Sequence, residues 1–171
     1  MNTEDYLNKV RTRIKQLVEL YQTKQKEIAI GTNELTEQMI CYYMNSKRNV
    51  TGRSLIILSL AYGISTDWIL GLTEKPYTEE SIKNAEEQYK KEFPEIEYNP
   101  KIKYNLEARA NIITLSRLIY YKKQKNIMTL KLKILENNLK YTLETGIPSY
   151  EITKNKRRTT TIEKISEKIK K

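Results

Sequence analysis

The sequence predicts an all-α protein, and three observations carry that expectation. Apolar residues recur at three- and four-residue intervals through most of the chain, glycine and proline number only five and four, and those few cluster at punctuation points. Helical periodicity with few breakers favours helices over a sheet. The first expected helix covers residues 3–21, where Leu7, Val10, Ile14, Leu17, Val18 and Tyr21 form one apolar stripe. Short helices follow at 24–30, 36–44, 53–62 and 65–70, parted by Gly31-Thr32-Asn33, by residues 45–52 and by Gly63. Beyond Gly71, residues 79–92 read as an acidic amphipathic helix and 94–100 as a loop between Pro94 and Pro100. Residues 104–125, with Ile112, Leu115 and Ile119, and 129–144, with Leu132, Leu135, Leu139 and Leu143, have helical spacing, and Gly146-Ile147-Pro148 ends the second. A short helix from Ser149 and a last one over 161–170, with Ile162, Ile165 and Ile169 on one face, complete the chain.

Composition narrows the function classes. A division into 1–73, an acidic helix and linker at 74–100, and a basic helical region at 101–171 fits a chain of 171 residues. The formal net charge is +10, and it is unevenly distributed: +2 over 1–73, −4 over 74–97, +8 over 101–133, −2 over 134–152 and +6 over 153–171. Such basic blocks suit a polyanionic partner, with affinity that falls as salt rises. The run 120–125 interleaves tyrosine with lysine, as nucleic-acid grooves do. Apolar stretches fall far short of a bilayer span, and Met1 to Asp5 lack the pattern of a signal peptide, so a cytoplasmic, nucleoid-associated location is expected. With no histidine and a single Cys41, the commonest zinc, general-base and disulfide chemistries have no material. The expectation is a non-enzyme with no cofactor and no metal.

The segment 36–44 has the marks of an exposed reading helix. Thr36 sits where its side-chain oxygen would cap free backbone amides. Met39, Ile40 and Tyr43 can pack inward, leaving Glu37, Gln38, Cys41 and Tyr42 outward. Trp68, the only tryptophan, reads as a core anchor, and Cys41 as a small residue near the core rather than a redox sensor.

Residues 25–68 resemble the DNA-binding domain of the phage repressor and Cro family, also called the XRE family. The likeness rests on Asn45-Ser46-Lys47-Arg48-Asn49, on Leu55, Ile56, Leu58, Ala61 and Gly63, and on the run Ile64-Ser65-Thr66-Asp67-Trp68-Ile69-Leu70-Gly71-Leu72. It implies a five-helix domain whose helix-turn-helix lays the 36–44 helix in the major groove. Glu37, Gln38 and Tyr42 then become base readers. Glutamine can pair with adenine through two bonds, glutamate can accept from cytosine, and an aromatic edge can meet a thymine methyl. Gln25, Thr36, Asn45, Lys47 and Arg48 take phosphate-contacting positions that fix register rather than sequence. Ser46 stands where the family has glycine, and Glu34 and Glu37 place negative charge near the groove.

A weaker echo of the same pattern runs from Thr145 to Ile165, with Ser149, Tyr150, Lys154, Lys156, Arg157 and Arg158 at DNA-facing positions. The C-terminal half is therefore expected to be a degenerate second helix-turn-helix, or a dimerisation or partner-binding domain using the leucine seam of 132–143. What the resemblance implies is a transcriptional repressor from a prophage, phage satellite or other mobile element. It would act as a homodimer on a double-stranded operator and be released by a protein antirepressor, since 101–171 has no pattern for a self-cleaving domain. The rival expectation is a helical interaction or inhibitor protein that uses its helix-turn-helix only to regulate its own gene.

Overall fold

The computed structural model describes residues 3–21, 23–126 and 130–152, and among them every regular element is an α-helix. In chain order these are α1 (Thr3–Leu20), α2 (Gln25–Thr32), α3 (Glu37–Met44), α4 (Gly52–Tyr62), α5 (Thr66–Ile69), α6 (Glu79–Glu92), α7 (Leu106–Gln124) and α8 (Leu130–Thr145). Residues 149–152 begin a further helical turn. The helix expected over 161–170, with Ile162, Ile165 and Ile169, lies outside the described residues.

Side-chain caps set most of the starts. Thr36, Thr51, Ser65, Thr78 and Asn105 each sit in extended backbone and accept from an amide of the first turn, which satisfies donors the helix cannot. At Thr78 the bond is reciprocal, because the Ser81 hydroxyl accepts from the Thr78 amide.

One expected boundary is corrected. Gly31 and Thr32 belong to α2 rather than to a turn, and the turn begins at Asn33, which adopts the left-handed conformation at φ 57°. Glycine is required at Gly31 for a steric reason and not for a turn: the Tyr62 hydroxyl, which donates to the Ile28 carbonyl at 2.7 Å, occupies the space a Cβ would need.

The core has two foci. Ile14, Ile28, Ile40, Leu58, Ile64 and Trp68 centre the first, gathered from α1 to α5, with Ile82 of α6 and Ala110 of α7 completing it. Trp68 is buried as expected, with the Arg13 guanidinium 5.2 Å over its ring. Tyr89, Phe93, Ile112 and Ile113 form the second, against which Leu139 and Leu143 of α8 pack.

Helix α7 contributes to both foci, and every residue from Ala110 to Ile119 is buried. A helix that is buried all round is a central element. It lies against α2, α4, α6 and α8, so segments 74–100 and 101–152 pack on the first five helices without a gap at residue 73 or 100. The leucine seam of α8 is corrected accordingly. Leu132 is buried, and Leu139 and Leu143 face the second cluster, so the seam lies against this chain's own α7. Among the described residues no helix is long and apolar enough to cross a membrane.

Charge follows packing. Of the nine Lys/Arg in 101–133, five hold carboxylates of the same chain. Arg109 pairs with Glu79 and Glu86, Arg117 with Glu92, Lys122 and Lys131 with Glu27, and Lys123 with Glu136. The most basic block thus complements the acidic α6 and the start of α2 more than it offers a free cationic surface. Lys122 of the interleaved run also turns inward, onto Glu27 at 3.3 Å, while Tyr120 stays 40% exposed with an edge contact to Phe93 at 5.2 Å.

These pairs predict an acid limb of stability. Burial raises the Glu86 carboxyl, but bonds from Arg109 and Tyr98 outweigh it, so its pKa is lowered. Burial of Glu27 is likewise outweighed by Lys122 and Lys131. Both carboxyls sit lower in the fold than in the unfolded chain, so their contribution is present above about 4.3, the ordinary glutamate value, and is lost as pH falls through the folded values. The urea midpoint is expected to drop steadily below that point, and Glu86→Gln to flatten the drop. A midpoint that climbs on acidification would contradict it.

Candidate nucleic-acid interface

The turn between α2 and α3 is built locally. The Thr32 hydroxyl donates to the Ala29 carbonyl at 2.8 Å and accepts from the Leu35 amide at 3.0 Å, while Leu35 is buried. Those contacts fix where α3 begins. Thr36 then caps it, its hydroxyl oxygen accepting from the Met39 amide at 3.2 Å.

The faces of α3 sort largely as the sequence predicts. Ile40 and Tyr43 are buried and Met39 half-buried, and the Tyr43 hydroxyl meets Ser54 of α4 at 2.8 Å. Glu37 and Gln38 are exposed, whereas Tyr42 and Cys41 are half-buried.

Three of these side chains are linked. The Gln38 Nε2 donates to the Tyr42 hydroxyl oxygen at 2.7 Å, and the Arg48 guanidinium lies over the Tyr42 ring at 5.3 Å from its centroid. Tyr42 therefore bridges a base-reading candidate and a phosphate-contacting one. Gln38 keeps its carbonyl oxygen and one amide hydrogen, the acceptor and donor that an adenine edge demands.

The phosphate-contacting candidates fall around this group. Gln25 is the first residue of α2, half-buried, and Thr36 is the exposed cap of α3. Asn45 closes α3, its Nδ2 donating to the Cys41 carbonyl at 2.9 Å, so its amide is engaged by the helix end. Ser46 follows at φ 56°, the left-handed conformation that explains a glycine preference there. Lys47 and Arg48 come next, both exposed, and no carboxylate among the described residues pairs with either.

Sequence reasoning missed two participants. Arg11 of α1 donates to the Ser46 hydroxyl at 3.1 Å, which adds a third cation to the edge of Lys47 and Arg48. It lies on the polar side of an ordinary amphipathic helix, where spacing gives no signal. Arg53 pairs with Glu34 at 2.9 Å and offsets one of the two carboxylates near the candidate reading face, while Glu37 stays exposed.

The second DNA-facing set is corrected where it is described. Ser149 and Tyr150 are buried at 9% and 8% exposure, and both the amide and the hydroxyl of Ser149 donate to the Asn111 carbonyl oxygen on α7. Burial of both, with Ser149 bonded to a core amide, makes them packing residues rather than groups open to a duplex. Lys154, Lys156, Arg157 and Arg158 lie outside the described residues.

The bridge at Tyr42 can be tested by deleting one oxygen. Tyr42→Phe is expected to weaken binding to a specific site by ~0.5–1.5 kcal/mol per reading helix, the usual worth of one hydrogen bond, and to leave binding to random DNA unchanged in competition assays. Equal losses on both DNAs would count against a positioning role.

Comparison of the chain with protein-family models, with curated proteins and with solved structures finds no match.

Proposed function

We propose that the chain is a sequence-specific DNA-binding transcriptional repressor of the phage repressor and Cro type, serving a mobile genetic element. The observation that carries the reading is the linked triad on an exposed, capped helix: Gln38 held by Tyr42, and Tyr42 covered by Arg48. Around it stand Arg11, Lys47 and Arg48, cations at one edge of the reading face. Base contact by Gln38 with phosphate contact by the flanking cations gives sequence reading and register in one docking. A homodimer would read a palindrome with half-sites ~34 Å apart. Release would come through a protein antirepressor acting on α7 and α8, which pack on the rest of the chain, and not through self-cleavage.

Selection of bound duplexes from a random library tests this. A symmetric motif with adenines at fixed positions in each half is the expected result, and a bound pool with no enriched sequence would sink it.

A second reading has one observation in its favour. Leu130 and Ile134 on α8 are 77% and 49% exposed, as befits a protein that engages another protein and reads DNA only to control its own gene. Full-length Gln38→Ala separates the two: loss of all cellular effect favours the repressor, and an effect that persists favours the interaction protein.

A further inference from the structure

The start of α2 and the α7–α8 pair enclose a cavity of about 600 Å³, within the size range of small-molecule sites. Its apolar wall is formed by Leu115 and Leu118 of α7 and by Ile134 and Leu135 of α8. Asn111 also lines it, at 2% exposure. The Asn111 Oδ1 accepts from the Thr142 hydroxyl at 3.1 Å, the Ser149 amide at 3.0 Å and the Ser149 hydroxyl at 3.1 Å. The Ser149 amide and hydroxyl, both donating to this oxygen, fix the orientation of the amide and turn its Nδ2 away from them. No acceptor for that Nδ2 is found among the described residues. A donor on the wall of an open cavity with no partner among the described residues is available to an acceptor from outside.

The charge at the rim says which acceptor. Lys24 and Lys131 line the cavity with Glu27, and Glu27 is already held by Lys122 at 3.3 Å and Lys131 at 3.4 Å. With Glu27 already held by Lys122 and Lys131, the two lysines against one carboxylate in the lining leave a positive excess. An anion is attracted there, an amine repelled, and the leucine and isoleucine wall asks for an apolar body.

We propose that this cavity is an effector site for a small amphipathic monocarboxylate, an apolar or aromatic body bearing one carboxylate. Its regulatory consequence rests on the DNA-binding reading, whereas binding itself does not. Lys24 is the cap of α2, Gln25 its first residue and Glu27 lies in its first turn, so the cavity borders the helix end that carries a phosphate-contacting position. A carboxylate drawn to Lys131 competes with Glu27 for it and loosens the tie between α2 and α8. Occupancy therefore favours a state with lower operator affinity, and by reciprocity the operator lowers affinity for the carboxylate by the same factor.

The experiment uses the full chain with 3-phenylpropionate as probe, and with 3-phenylpropylamine and 3-phenylpropionamide as controls. Calorimetric titration without DNA is expected to give one site for the acid, weaker binding of the amide and none of the amine. Ile134→Trp, which adds bulk at a half-exposed wall position, should abolish binding while leaving the thermal midpoint in place, and Lys24→Glu should weaken it at least tenfold. Saturating acid should lower operator affinity at least fivefold. Equal binding of acid and amine, binding unchanged in Ile134→Trp, or no heat with phenylpropionate, indole-3-acetate and octanoate alike would overturn the site. Acid binding by a chain that selects no DNA sequence supports the site and overturns the repressor reading. Acid binding that leaves operator affinity unchanged overturns the effector role.

Discussion

Arg117→Ala is expected to lower the stability of the whole chain by about 3 kcal/mol, the lower end of the range for breaking a buried pair from one side, read as a shift in urea midpoint at constant slope. Arg117 is 3% exposed on the central helix. One nitrogen donates to the Leu60 carbonyl of α4 and another reaches Glu92 of α6 at 3.3 Å, so a single guanidinium joins three helices. Burial pulls its pKa down, and the Glu92 carboxylate opposes that shift. Truncation leaves a largely buried carboxylate and a carbonyl without their donor, which costs more than the contact itself is worth. Removing both charges as Arg117→Met with Glu92→Gln should therefore lose less than the two single changes added together. A loss from Arg117→Ala below about 1 kcal/mol, the size of an ordinary hydrogen bond, would show that α7 is held by its apolar contacts alone.

Under the proposed role as a dimeric DNA reader, the largest functional effect belongs to Gln38→Ala. Each reading helix should lose ~1–3 kcal/mol on the selected operator, so a dimer loses ~2–6 kcal/mol, with little change on random DNA. Lys47→Ala gives the contrasting result. It should weaken both DNAs alike and reduce the salt dependence by about one counterion per helix. Filter or fluorescence titrations of both variants at several salt concentrations separate base reading from phosphate attraction. Parallel losses from Gln38→Ala on operator and random DNA would remove α3 from the groove.

Periodicity and capping made much of the fold legible. The α6 boundaries coincide with the expected 79–92, and α3 begins where Thr36 announces it, because caps and stripes act within a few residues and leave their mark there. Gly31 signals a turn in the sequence but is helical in the fold, its missing side chain making room for the Tyr62 hydroxyl 31 positions away. The position of α7 had a usable signal: residues 108–119 carry no continuous polar face, which marks a helix surrounded by others. The basic block at 101–133 was legible as charge but not as pairing, since only folding brings Arg109 to Glu86 and Lys122 to Glu27. In the site, Glu37 and Gln38 were placed by helical spacing, whereas the Gln38–Tyr42–Arg48 link and the approach of Arg11 depend on rotamers that spacing does not determine.

The burial of α7 also bears on how such a chain evolves. Segments that swap between genomes by recombination succeed when a crossover leaves two surfaces that were already in contact with water. A crossover at residue 73 would instead strip Ala110 from the first cluster and Leu118 from beside Gly31, exposing apolar surface on both fragments. The heritable unit is thus at least the whole span to residue 152, and under the proposed DNA-reading role new specificities are expected to arise by point changes on α3 rather than by exchange of residues 1–73.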